Sequence, residues 1–199
     1  MFYEPGAGHG LPHDPFKAIV APRPIGWIST VDPAGRPNLA PYSFFNGVCD
    51  DPPIVMFSSA GRKDSVANAE ATGEFVCNFV SFALKDAMNE SSAPLPAGES
   101  EFERAGLETA PCRLVKPPRV ALSPAALECK VLNVTELHDL AGRSAGRFVV
   151  TGQVVGVHID DAALTDGLFD TSREGAVARC GYLDYAAVFE MFAMPRPRG

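Results

Sequence analysis

The chain has 199 residues, with 17 Lys and Arg against 24 Asp and Glu, a formal net charge of -7 and a sequence pI of about 5.1. That length accommodates one domain with a real core, and the acidic balance excludes the clustered Lys and Arg footprint of a nucleic-acid binder. No apolar run is long enough to span a bilayer, the start Met-Phe-Tyr-Glu-Pro-Gly lacks a secretory pattern, and five scattered cysteines without a Cys-x-x-Cys pair suit a reducing compartment, so a cytoplasmic protein with no membrane partner is expected.

Residues 1–16 carry Pro5, Gly6, Gly8, Gly10, Pro12 and Pro15, which read as a leader loop packed by Phe2, Tyr3, Leu11 and Phe16. His9 and His13 have a spacing useful to a metal only on a helix, and the glycines and Pro12 argue against one, so no metal site is assigned. Residues 17–21, 25–31, 38–45 and 54–58 read as short strands in close succession, with a turn at Asp32-Pro-Ala-Gly35 between the second and third. From Arg62 the pattern changes to a short helix, with Asp64 as N-cap and Gly73 as the stop.

Residues 74–80 alternate as a strand should, and 82–90 read as a second short helix. Residues 91–100 are a Pro- and Gly-containing loop, 101–105 one helical turn, and the stretch 81–112 is expected as a helical and loop insertion outside the core. Strand patterns return at 113–115, 121–122, 126–137 and 147–159, and residues 185–192 close the chain ahead of the tail Pro195-Arg-Pro-Arg198. Glu99, Glu101 and Glu103 read as a solvated face, and Asp160, Asp161 and Asp166 as a polar turn lacking the spacing of a calcium loop. Many short strands with few short helices point to a mainly β barrel or sandwich in a single domain, and no Gly-x-Gly-x-x-Gly follows a strand to make a Rossmann site.

Two stretches carry chemistry. Ser58-Ser-Ala-Gly-Arg-Lys-Asp-Ser65 leaves a strand, passes a glycine and opens a helix, so Ser58, Ser59, Arg62, Lys63 and Ser65 could seat a phosphate on unpaired N–H groups. An ordinary capped helix with solvated cations fits the same composition. Pro41-Tyr-Ser-Phe-Phe-Asn46 interleaves aromatics with Ser43 and Asn46, supplying faces and edge hydrogen bonds suited to a flat heteroaromatic ring. No acid, base or nucleophile is assigned: His158 sits in an alternating strand as a satisfied or solvent-facing side chain, and Cys49 is flanked by Asp50 and Asp51.

Taken together, Ala21-Pro-Arg-Pro-Ile-Gly-Trp-Ile-Ser-Thr30, Asn38-Leu-Ala-Pro-Tyr-Ser-Phe-Phe-Asn46, residues 53–68 and 74–78, Pro117-Pro-Arg-Val120, residues 123–130, Val154-Val-Gly-Val-His-Ile159 and Gly181–Tyr185 resemble the flavin reductase-like proteins of the FMN-binding split barrel, near the flavoredoxin branch. The resemblance implies a six-stranded antiparallel barrel with flanking helices, forming a homodimer with FMN near the subunit interface. It implies a phosphate held by Ser58, Ser59, Arg62, Lys63 and Ser65. The ring would lie along Arg23, Pro24, Ile25, Trp27 and Ser29 and along Ser43, Phe44 and Asn46, with Asn78 contributing. The expected activity is an FMN-dependent oxidoreductase taking hydride from NADH or NADPH and reducing flavin or a small acceptor. Two further readings share the same phosphate seat: a flavoredoxin-like carrier that exchanges electrons with a protein without free-flavin turnover, and a split-barrel oxidase acting on a phosphorylated small molecule. An electron-transfer protein or a monooxygenase is compatible as partner, although no residue identifies one.

Overall fold

A computed structural model describes residues 1–96 and 99–197; Ala97 and Gly98 of the expected 91–100 loop, and Arg198 of the tail, lie outside the described residues. In chain order the elements begin with α1 (Phe16–Ile19), β1 (Arg23–Pro24), β2 (Gly26–Val31), β3 (Pro37–Tyr42), β4 (Phe45–Asp50), β5 (Pro53–Ala60), α2 (Asp64–Thr72) and β6 (Glu74–Asn78). They continue with α3 (Lys85–Glu90), α4 (Glu101–Arg104), β7 (Thr109–Ala110), β8 (Arg119–Val120), β9 (Ala125–His138) and β10 (Ser144–Ile159). The last are β11 (Leu164–Thr165), β12 (Leu168–Phe169), α5 (Thr171–Glu174), β13 (Ala176–Arg179) and β14 (Tyr185–Val188).

The main sheet has seven strands, all antiparallel, in the order β3-β2-β6-β9-β10-β5-β4. A three-stranded sheet β1-β13-β14 lies alongside, with two small hairpin sheets, β7-β8 and β11-β12. The fold is the mainly β split barrel expected, with one strand more than six. The extra strand is β4, which carries Asn46, Gly47, Cys49 and Asp50 and is exposed over most of its length, so it shows little of the alternation that betrays a half-buried strand. The two ends of the sheet meet by side-chain packing: a Cβ built on Gly26 would fall 2.4 Å from Cδ2 of Phe45, so only glycine leaves room for that ring against β2.

One core cluster joins Ile28, Phe57, Val66, Phe75 and Val150, with α2 laid on the sheet. Phe57 meets Phe75 edge to face at 5.4 Å, a geometry favoured by the ring quadrupoles, and truncating either ring should cost about 3–5 kcal/mol. A second cluster gathers Trp27, Leu39, Val120 and Val177 with Leu84, Met88 and Phe102. The 81–112 stretch thus sends three side chains into a core from which the sequence reading had excluded it, because α3, α4 and the 3-10 turn before α3 each present one buried apolar residue, Met88, Phe102 and Leu84.

Other departures have local causes. Residues 17–21, expected as strand, begin in helix as far as Ile19 because Asp14 Oδ1 accepts the Phe16 N–H at 2.9 Å and turns the chain at Pro15. Residues 113–115 form no strand, since their N–H groups donate to the buried Glu128 carboxylate, and residues 121–122 are a turn. The closing segment 185–192 forms a strand as far as Val188. The leader is not packed by its apolar side chains: Phe2, Leu11 and Phe16 are 87%, 40% and 54% exposed. α2 begins at Asp64 itself, with Lys63 in the capping position, and Gly73 ends it at a φ of 74° as expected. Asp160 caps a short 3-10 turn through the Ala162 N–H, and Glu101 leaves the solvated face to accept the Leu39 N–H at 3.1 Å. No helix among the described residues is long and apolar enough to cross a membrane.

Candidate functional site

The two stretches singled out in the sequence become neighbours through the pairing of β4 with β5. Phe45 opposes Phe57, Asn46 opposes Met56, and the Ser58 N–H donates to the Phe44 carbonyl at 2.8 Å. Ser43 and Phe44 make the two-residue step from β3 to β4, which leaves the Phe44 ring 39% exposed beneath the Arg23 guanidinium, 5.6 Å from its centroid. Asn46 is exposed and its side-chain oxygen accepts the Gly47 N–H at 2.9 Å, leaving the amide nitrogen outward.

Two clefts flank Ile25. One, of about 240 Å³, is bounded by Arg23, Ser43, Phe44, Arg179 and Tyr182; the other, of about 200 Å³, by Pro24, Phe45, Asn78, Leu127 and Val177. Neither is lined by a residue of 58–65. Within a single chain the ring-binding and phosphate-binding candidates therefore share a backbone hydrogen bond without sharing a cleft.

The β5–α2 turn has the features of an anion seat. Gly61 takes a φ of 86°, which turns the chain sharply between Ser59 and α2. Lys63 caps α2 by position alone, its carbonyl accepting the N–H groups of Val66 and Ala67, and no side chain caps the helix. The N–H groups of Asp64 and Ser65 have no acceptor among the described residues, so the positive end of the helix is open. The Lys63 ammonium is exposed and forms no ion pair among the described residues, whereas Arg62 is paired with Glu70.

The remaining expected site residues lie inside the protein. Trp27 is fully buried and donates Nε1–H to Ser91 Oγ at 2.9 Å; Ser29 donates to the Pro118 carbonyl at 2.5 Å. Asn78, also fully buried, donates to the Trp27 carbonyl at 2.9 Å and accepts the Val120 N–H at 2.8 Å, joining β2, β6 and β8. Arg23 is 6% exposed and its guanidinium donates to the carbonyls of Lys17, Val20 and Cys180. Trp27 and Ser29 brace the walls from behind, while Arg23 and Asn78 are held by these bonds at the edges of the two clefts.

Sequence reasoning missed a buried polar cluster beneath the start of α2. Asn38 donates to Thr30 Oγ1 and Ser65 Oγ at 3.2 and 2.9 Å, and Asn68 donates to Thr30 Oγ1 at 3.2 Å. Ser59 Oγ and the Tyr42 hydroxyl are buried beside it with no well-formed hydrogen bond; burial pushes the Tyr42 phenol up, opposed by the Ser65 and Ser59 hydroxyls. The signal was the presence of polar Asn38 and Tyr42 on the same side of β3, four residues apart. Arg179 and Tyr182 were visible only as part of the closing 181–185 resemblance and the strand before it.

Comparison with known proteins gives a consistent result. Residues 20–177 match the family model described as a flavin reductase like domain. An uncharacterized protein of Halalkalibacterium halodurans is 39% identical over 184 residues, covering 89% of this chain and 87% of its own. Among solved structures, nitrilotriacetate monooxygenase component B from Bacillus cereus superposes with a TM-score of 0.87 at 29% identity over 98% of both chains. Flavoredoxin of Desulfovibrio vulgaris superposes with a TM-score of 0.76 at 23% identity, over 87% of this chain and 90% of its own, which is a likeness of fold.

Proposed function

The chain belongs to the flavin reductase-like domain family, and from that premise we propose that it is an FMN-dependent oxidoreductase that takes hydride from NADH or NADPH and reduces free flavin or a small acceptor. The observation that carries this reading is the open, uncapped start of α2, with its free Lys63 ammonium, tied through the Ser58 to Phe44 hydrogen bond to an exposed aromatic and polar segment. A phosphate finds N–H donors and positive charge at one end of that arrangement, and a flat ring finds an aromatic face and amide edge at the other.

FMN, when bound, supplies the redox chemistry by accepting a hydride equivalent and passing electrons onward. The work left to the protein is positional. The Asp64 and Ser65 N–H groups, Ser58 and Lys63 hold the phosphate, with Arg62 available once released from Glu70. Phe44, Ser43, Asn46, Pro24 and Ile25 offer faces and edges to the ring. Trp27, Ser29, Asn78 and Arg23 keep those walls rigid. No side chain is required as acid, base or nucleophile.

Because the two halves do not open into one cleft within a single chain, the reading includes a homodimer in which a second copy completes the wall. Exposed Val48 on β4, Leu132 on β9 and Val155 and Val157 on β10 offer apolar surface for it. The likeness to a monooxygenase component makes a monooxygenase the favoured consumer of the reduced flavin.

Anaerobic titration tests the reading. The purified protein, supplied with FMN, should quench flavin fluorescence saturably and then bleach the flavin absorbance on addition of NADH or NADPH, with turnover of excess free FMN. Absence of FMN binding would overturn it. Binding with bleaching by a reduced protein donor alone would replace the reductase with the electron carrier.

A further inference from the structure

Away from the residues assigned to flavin, one face of the β9–β10 pair carries a cluster with the chemistry of a metal site. Glu128 on β9 stands opposite Gly156 on β10, and His158 follows two residues later on the same side. A Cβ on Gly156 would lie 3.3 Å from the Glu128 carboxyl carbon and 3.4 Å from Leu114 Cδ1, so the glycine, beside a register shift in β10, keeps open the space that the carboxylate occupies. Cys112 arrives from the loop that covers this face. The thiol of Cys112, a carboxylate oxygen of Glu128 and a ring nitrogen of His158 all lie within 4.8 Å of one another.

The surroundings orient these groups. Glu128 is 1% exposed, and its two oxygens accept the N–H groups of Arg113, Leu114 and Val115 at 2.6–3.0 Å. His158 Nε2 lies 2.5 Å from Glu128 Oε1, which aims the imidazole at the carboxylate. Fixed carboxylates with outer hydrogen-bond partners and an oriented imidazole are the supports a metal site needs. One thiolate and one carboxylate balance a divalent cation, leaving the half-buried cluster neutral. Sulfur, nitrogen and oxygen donors in a set of three suit zinc over calcium or magnesium, with the fourth tetrahedral position left to water.

We infer that Cys112, Glu128 and His158 form a zinc site that fastens the 111–118 loop to the β9–β10 face. Tetrahedral zinc places such donor atoms about 3.3–3.7 Å apart, so His158 Nε2 and Glu128 Oε1 would separate to admit the ion and their hydrogen bond gives way to two bonds to the metal. Binding releases the thiol proton to solvent, and no oxidant or reductant is involved. Because the ligand is the thiolate, zinc affinity should rise with pH.

Cobalt(II), a spectroscopic stand-in for zinc, tests the site on the full chain after chelator treatment. The expected result is one equivalent bound with a thiolate-to-cobalt charge-transfer band, lost in Cys112→Ser and in His158→Asn and retained in Cys49→Ser. FMN affinity should be unchanged by cobalt, which separates this test from that of the flavin reading. In the wild-type protein, added zinc should slow alkylation of Cys112 at least tenfold while Cys49 reacts as before, a measurement that survives any folding failure of the variants. No charge-transfer band, a band that persists in Cys112→Ser, or unprotected Cys112 would each overturn the site.

Discussion

The Arg62 guanidinium is paired with the Glu70 carboxylate, two turns along α2, and this pairing occupies one of the two cations at the mouth of the proposed phosphate seat. Both partners are exposed, so the pair contributes at most about 1 kcal/mol to folding. Glu70→Gln should therefore leave thermal stability almost unaltered and free Arg62 for the ligand, tightening FMN by about two- to fivefold. Fluorescence titration alongside a melting curve checks it, and an unchanged or weaker affinity would mean that Arg62 does not face the phosphate.

Removing both cations distinguishes phosphate from ring. Charge-assisted hydrogen bonds contribute about 1.5–3 kcal/mol each, so Arg62→Ala with Lys63→Ala should weaken FMN by about a hundredfold or more. Riboflavin, which lacks the phosphate, should lose little. Equal loss for the two ligands would put the phosphate elsewhere.

Glu128 makes acid a selective stress. Burial by itself would raise its carboxyl, but the Arg113 N–H, His158 and the Leu114 N–H outweigh burial and hold it below the ordinary value of 4.5. A carboxylate depressed in the folded chain stabilises fully above its unfolded value, and that stability is lost as pH falls through the folded value. Wild-type stability should thus drop as pH falls below about 4.5. In Glu128→Gln, an amide nitrogen must face backbone donors, costing about 2–4 kcal/mol at neutral pH and flattening the acid limb of the profile. Denaturant melts between pH 3 and 7 would show both effects, and a parallel acid limb in the variant would assign it to other carboxylates.

Gly26→Ala tests how the sheet ends meet. The added Cβ collides with the near end of the Phe45 ring, which cannot swing clear as a flexible tip would. The expected cost is about 1–3 kcal/mol, with weakened FMN binding because Phe45 carries its neighbours Phe44 and Asn46 with it. Phe45→Leu in the same chain should recover part of the stability, and additive losses would show that the two residues do not couple.

What could be read in advance followed from burial geometry. β9 and β10 are long strands with enough alternation to announce themselves, and α2 was bracketed by Asp64 and Gly73. β2 is buried on both faces, so nothing in its pattern distinguishes Trp27 and Ser29 as interior from residues lining a cleft. β4 failed for the opposite reason, having little buried face at all. Residues 113–115 look like strand by composition, yet their backbone donors are claimed by one carboxylate fifteen to thirteen residues downstream, a long-range bond that no local pattern encodes. The phosphate-side candidates were legible because Gly61, Arg62 and Lys63 sit together in sequence; Arg179 and Tyr182 reach the Ile25 cleft only by the return of β13 beside β1.

Arg23 has a further effect. Its guanidinium holds carbonyls of Lys17 and Val20 on the amino-terminal side and of Cys180 on the carboxy-terminal side, and Gly181 lies so close to Ala18 that a Cβ there would fall 2.4 Å from the alanine methyl. One side chain thus ties the segment before β1 to the turn after β13, and its loss should loosen both. A protease that nicks one end in Arg23→Met should find the other loosened as well, while the seven-stranded sheet stays intact.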